Sequence, residues 1–188
     1  MYKDYGIYIL CGGNSSRMGK DKATFKLNET SFLENIRVNL NLKKNDIILV
    51  SDKPEHRLDG YQTIKDINRN CGPLGGIVTS LNHTTKKINL ILSCDIPFIN
   101  SESLEFIEKN INLNADLNIP IVEGRLMPLI GFYSKKSLEV FQNQLSNKIL
   151  KLMLAIEKFE VNKISIPTNL HKNFSNINSL EDLKKMTQ

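Results

Sequence analysis

The chain has 188 residues, of which 40% are hydrophobic and 24% charged, with 25 Lys and Arg against 20 Asp and Glu. That balance fills a buried core and keeps a hydrated surface, so disordered, collagen-like and low-complexity classes are excluded and a single domain over residues 1–188 is expected. The formal charge of +5 suits a polyanionic partner, either nucleic acid or a phosphorylated small molecule.

In chain order, Tyr5–Cys11 reads as a buried strand and Gly12–Lys20 as a glycine-rich loop. Ser31–Leu40 reads as a helix. Ser31 and Glu34 have the spacing of a capping box, and Phe32, Leu33, Ile36 and Leu40 share a face. Ile47–Ser51 is the second strand and Tyr61–Asp66 the third, ending on an acid. Gly72-Pro73 opens a helix that runs through Asn82, with proline where a first helical turn tolerates it. Asn89–Asp95 is the most strand-like run of all. Ser101–Ile111 is helical, and Asp116–Val122 and Leu126–Tyr133 read as strands around Glu123-Gly124-Arg125. Lys135–Leu145 and Lys148–Phe159 read as helices, Val161–Pro167 as a late strand, and Ser179–Met186 as a last helix with Asp182 three residues after its cap. Strands alternating with helices predict an α/β fold with a mostly parallel sheet. In such sheets ligands sit beyond the carboxyl ends of the strands, so chemistry is expected at Gly12-Gly13, Ser51-Asp52, Asp66 and Asp95.

Other classes fit poorly. There is no long basic run and no Trp, and aromatics are 7%, which argues against a nucleic-acid stacking platform. Lys86-Lys87, Lys135-Lys136 and Lys184-Lys185 read as solvated helix ends. Cys11, Cys71 and Cys94 form no CxxC, and His56, His83 and His171 lack the spacing of a zinc site. No apolar run approaches the length of a membrane span, and the short run after Met1–Gly6 has too acidic a flank for a signal peptide, so a cytoplasmic location is expected.

The loop after the first strand runs Leu10-Cys11-Gly12-Gly13-Asn14-Ser15-Ser16-Arg17-Met18-Gly19-Lys20-Asp21-Lys22. Its glycines free backbone amides to approach a phosphate, while Arg17 offers a planar fork and Lys22 a point charge. It is neither a Walker A loop nor GxGxxG. The pattern L-x-G-G-x-x-x-R-M-G-x-D-K resembles the signature loop of GT-A-like nucleotidyltransferases. Three later segments resemble the molybdenum cofactor guanylyltransferases in order: Asp66 with Gly72-Pro73-Leu74-Gly75-Gly76, then Ser93-Cys94-Asp95-Ile96-Pro97-Phe98, then Asn176-Ile177-Asn178 with Ser179–Leu183. Two positions depart from the family. Cys11 replaces a usual Ala, and Ser51 stands where an Asn often touches the nucleotide.

The resemblance implies a three-layer, Rossmann-like fold of the nucleotide-diphospho-sugar transferase type. It implies transfer of GMP from GTP to the terminal phosphate of molybdopterin, with Mg²⁺ as the metal and Asp95 as its ligand. Arg17, Lys22 and Asp95 are then the catalytic residues. Leu10, Cys11, Gly12, Gly13, Arg17, Lys22, Asp66 and Asp95 bind nucleotide. Asp66 could accept from N1 and N2 of guanine or from a ribose hydroxyl. Gly72, Gly75 and Gly76 would let a helix start sit against a phosphate. Asn178 is either a second polar ligand, a substrate contact or a simple turn residue, and a late basic residue for substrate phosphate is Lys148 or Lys151. The alternatives are a related enzyme using CTP or UTP, or a non-catalytic nucleotide-binding protein. Protein partners that handle the cofactor are compatible with the resemblance, whereas nucleic acid and membrane are not expected.

Overall fold

The computed structural model describes residues 4–12, 25–27, 30–68, 70–179 and 181–182. Among them the chain alternates strands and helices as β1 (Tyr5–Leu10), β2 (Lys26–Leu27), β3 (Thr30–Ser31), α1 (Phe32–Asn39), β4 (Ile47–Val50), β5 (Gln62–Ile64), α2 (Gly72–His83) and β6 (Ile88–Ser93). It continues with α3 (Ser101–Lys109), β7 (Leu117–Val122), β8 (Arg125–Leu126), β9 (Ile130–Ser134), α4 (Leu138–Ser146), α5 (Leu152–Ile156) and β10 (Val161–Ser165). The main sheet has the order β10-β7-β9-β6-β1-β4-β5, with β8 added to β7. β1 pairs in parallel with both β4 and β6, and β5 extends the parallel set. β9 lies antiparallel between β6 and β7.

β6 shows why the centre of the sheet forms here. All six of its residues are buried, and its near-continuous apolar run suits a strand covered on both faces. Its side chains alternate between two cores. Leu90 and Leu92 join Ile9, Leu33, Ile36 and Ile107 on one face. Ile91 joins Tyr8, Leu10, Val50, Leu74, Ile77 and Phe141 on the other. Helices therefore cover both faces, giving three α/β/α layers, as the alternating pattern predicts. No helix among the described residues is long and apolar enough to cross a membrane.

Several element ends differ from the sequence expectation, each for a local reason. The third strand stops at Ile64 rather than Asp66, because the Asp66 carboxylate bends the chain through the Asn68 amide at 3.0 Å. The strand expected to end on Asp95 ends at Ser93, and Asp95 sits in the following turn. The run expected as one strand over Leu126–Tyr133 is split into β8 and β9 at Met127-Pro128-Leu129, where proline removes a ladder donor. Glu123 and Gly124 both take left-handed φ angles (50° and 76°), as a tight two-residue hairpin between β7 and β8 requires. The expected helix over Lys148–Phe159 is reduced to α5. Lys148 is at φ 58°, with its amide on Leu145 O at 2.9 Å and the Ile149 amide on Gln144 O at 2.9 Å. That is a Schellman end to α4, which reverses the chain before a new helix can start.

Two caps are also revealing. Ser31 Oγ accepts from the Glu34 amide at 3.1 Å, but the Glu34 carboxylate does not complete the expected box. It accepts instead from Arg37 Nε at 2.8 Å and from the Tyr61 hydroxyl at 2.8 Å. The Arg37 guanidinium holds the Glu34 carboxyl below the usual carboxylate range. Lys135 is not a solvated helix end: its Nζ donates to Leu81 O at 2.7 Å and Thr84 O at 2.8 Å, closing the last turn of α2.

Candidate functional site

The carboxyl ends of β1, β4, β5 and β6 meet the first turn of α2 around a cleft of about 470 Å³. That is the size of an ordinary small-molecule site. Leu10, Gly12, Asp66, Gly72 and Gly76, all expected from the sequence to bind ligand, line it. The strand ends are tied to one another, since the Cys11 amide donates to Val50 O at 3.0 Å and the Cys94 amide to Leu10 O at 3.2 Å. The floor is therefore fixed by backbone pairing. Gly13, Arg17 and Lys22 lie outside the described residues.

The wall at α2 is built by close packing. A Cβ on Gly75 would fall 2.5 Å from Asn68 O, and one on Gly76 3.0 Å from Leu10 Cδ2. These two glycines let the helix start press against the Asp66–Asn68 turn and the end of β1. Gly72 is different: it takes φ 58° and faces open space. Asp66 Oδ1 accepts from Thr79 Oγ1 at 2.9 Å as well as from the Asn68 amide. One oxygen of Asp66 thus pins its own turn to α2 at the lining of the cleft.

At the β6 margin, Asp95 O accepts from the Ile177 amide at 2.8 Å. This bond places Ile177, more than eighty positions later in the chain, against the Asp95 backbone, with Asn178 the next residue. A small apolar cluster of Phe32 and Ile177 with Phe25 and Phe98 supports the junction. The amides of Asn178 and Ser179 both donate to Asp182 Oδ2 at 2.9 Å, and the Asp182 amide returns to Ser179 Oγ at 3.1 Å, so the expected cap at Ser179 forms. Lys148 stays apart from the cleft lining, exposed at the left-handed turn after α4.

The donor set decides what metal could be held. Among the described residues no group of three or more His, Cys, Asp or Glu side chains converges as a metal cage. The Asp95 carboxylate and the Asn178 amide oxygen, on segments joined through the Ile177 amide, are hard oxygen donors and few in number. That fits Mg²⁺, which keeps waters and shares its sphere with nucleotide phosphates, and does not fit zinc.

Sequence reasoning missed several cleft groups. Lys53, Asn68 and Leu129 line it. Leu129 is presented by the Met127–Leu129 interruption, where Leu129 O accepts from the Ser93 amide at 2.9 Å. The Tyr133 hydroxyl donates to Pro128 O beneath it, and burial pushes that phenol up. Proline within an apolar run was the available signal for this interruption.

A model of the MobA-like NTP transferase domain matches residues 7–160. The chain belongs to the MobA-like NTP transferase family. A probable molybdenum cofactor guanylyltransferase of Flavobacterium johnsoniae is 34% identical to it over 179 residues, covering 95% of this chain and 94% of that one. A probable molybdenum cofactor guanylyltransferase of Clostridium perfringens is also 34% identical, over 187 residues, covering 95% and 93%. The crystal structure of molybdopterin-guanine dinucleotide biosynthesis protein A from Archaeoglobus fulgidus superposes with a TM-score of 0.80 at 22% identity, covering 96% of each chain. The fold is thus of the nucleotide-diphospho-sugar transferase type expected from the sequence.

Proposed function

We propose that this protein, as one nucleotidyltransferase domain in the cytoplasm, transfers GMP from GTP to the terminal phosphate of molybdopterin and releases pyrophosphate. The observation that carries the proposal is the cleft: Leu10 and Gly12 at the end of β1, the Asp66 turn and the glycine-rich start of α2 line one cavity in a chain of this family, and Asp95 follows the neighbouring strand β6, outside that lining. The relatives' names point to the same substrates.

The nucleophile is a phosphate oxygen that is ionised at neutral pH, so no general base is required. The barrier is the approach of one anion to another. Asp95, with Asn178 as a second oxygen donor, would hold Mg²⁺, which supplies charge neutralisation at the reacting phosphates. Arg17, Lys22 and the amides of Gly12 and Gly13 stabilise the leaving pyrophosphate. Asp66 takes a guanine N–H or a ribose hydroxyl on its second oxygen. Gly75 and Gly76 serve by letting α2 approach, and Gly72 by leaving room over the helix start.

The test is pyrophosphate release with molybdopterin as acceptor, using GTP, ATP, CTP and UTP in turn, with and without Mg²⁺. GTP with Mg²⁺ should react fastest. Asp95→Ala and Lys22→Ala should each lose ~10²–10³-fold in rate, the usual effect of removing one electrostatic contact to a transition state. Turnover above about a tenth of the parent rate in either variant would remove that residue from the mechanism. Faster turnover with CTP or UTP would replace the guanylyl reading by one of the alternative nucleotides.

A further inference from the structure

His56 is 0% exposed and Ser51 only 3%, and neither has a part in the chemistry above. His56 Nδ1 lies 2.6 Å from Ser51 Oγ, and the same oxygen accepts from the Lys53 amide at 3.1 Å. Thr63 Oγ1 donates to His56 O at 3.1 Å, which fastens the histidine segment to β5. The turn Ser51–Lys53 between these anchors is a thin partition. On one side is the main cleft, lined by Asp52 and Lys53, and on the other a hollow of about 170 Å³ lined by Ser51, Lys53, Arg57 and Lys65. The backbone of Ser51 is tied to the β5 side, its amide donating to Ile64 O at 3.1 Å and its carbonyl accepting from the Asp66 amide at 3.4 Å, and the buried bonds of its side chain add a second hold on the turn that follows, through the Lys53 amide. Ser51 therefore turns inward to His56 rather than toward a ligand.

The place of this partition along the cleft follows from strand order. Asp95 follows β6 and Gly12 follows β1, whereas the partition follows β4, two strands beyond β6. At strand spacings near 4.8 Å that is about 10 Å, roughly the reach from an α-phosphate across a ribose to a purine. We propose that Ser51 and His56 are positioning residues that hold Asp52 and Lys53 against the nucleobase end of the cleft. The chemistry of that pair suits guanine, which presents the O6 and N7 acceptors on one edge and N1 and N2 donors on another. The proposal rests on the guanylyl-transfer reading.

The experiment compares the parent with His56→Ala, His56→Asn and Ser51→Ala. It measures titration with a fluorescent GTP analogue, KM and kcat for pyrophosphate release, inhibition by added pyrophosphate, and the thermal midpoint. His56→Ala and Ser51→Ala should weaken GTP binding and raise its KM by about ten-fold while kcat stays within about two-fold, the signature of lost uniform binding. Inhibition by pyrophosphate, which occupies only the phosphate end, should be unchanged. His56→Asn, which keeps a polar atom near the position of Nδ1, should recover most of the affinity. Ser51→Ala removes a single oxygen and keeps the test alive if His56→Ala does not fold. A lowered thermal midpoint with unchanged GTP affinity and KM would overturn the proposal, as would equal weakening of GTP and pyrophosphate. A parent protein that neither binds GTP nor releases pyrophosphate would instead overturn the guanylyl-transfer reading on which the proposal stands.

Discussion

Gly75 shows how a single position sets the site. A methyl group there would meet the backbone oxygen of Asn68 at 2.5 Å, and that oxygen belongs to the turn held by the Asp66 carboxylate. Neither side can yield cheaply, because α2 is buried along most of its length and the turn is bonded to Thr79. Gly75→Ala should cost about 1–3 kcal/mol, the range for overpacking a tight contact. It should also raise the KM for nucleotide, since the cleft wall must move. Urea titration and steady-state kinetics would read the two effects, and an unchanged midpoint would show that the turn gives way freely. Ser51 teaches a related lesson. From the sequence it is a departure from a family contact, while in the structure its hydroxyl is buried against His56. The spacing of five residues between them says nothing of the pairing until the short helical turn at Pro54–His56 folds the chain back.

At the scale of elements, α2 carries the most. Its first turn borders the cleft and its last turn is closed by Lys135, which lies more than fifty residues later in sequence. Charge-assisted bonds to orphan carbonyls at a helix end contribute stability that a methylene chain cannot replace. Lys135→Met should therefore destabilise the protein by about 1–3 kcal/mol. The KM for nucleotide should change little, because the cap is at the far end of α2. A shift in KM comparable to that of Gly75→Ala would show that the helix transmits its end to the cleft. The end of α4 falls within one residue of the sequence expectation, and it is the expected helix start at Lys148 that the structure replaces with a turn. Lys148 continues a helical periodicity, but after the Asn147 cap it takes a left-handed φ of 58°, a conformation that non-glycine residues seldom adopt and that no period reveals.

On the scale of the whole molecule, the cleft is a property of the sheet. It draws on β1, β4, β5, β6 and α2, so a ligand that fills it binds only the folded chain. At a hundredfold excess over its dissociation constant, GTP should add about 2.7 kcal/mol of stability, raising the thermal midpoint by roughly 5–10 °C for a chain of this size. Pyrophosphate alone, filling one end, should give a smaller shift, and the absence of any shift with GTP would count against a nucleotide in this cleft. By itself the sequence determined the α/β alternation, the capped helix starts, the glycine-rich strand end and the family. These are written in local periodicity and in short motifs, which report the backbone's own preferences within a few turns. Only the tertiary structure decided that Ile177 is bonded to Asp95, that the Asp66 carboxylate ties its own turn to α2, and that His56 pairs with Ser51. Those contacts join residues through the order of strands in the sheet, and that order is set by the burial of both faces at once rather than by any neighbouring residues in the chain.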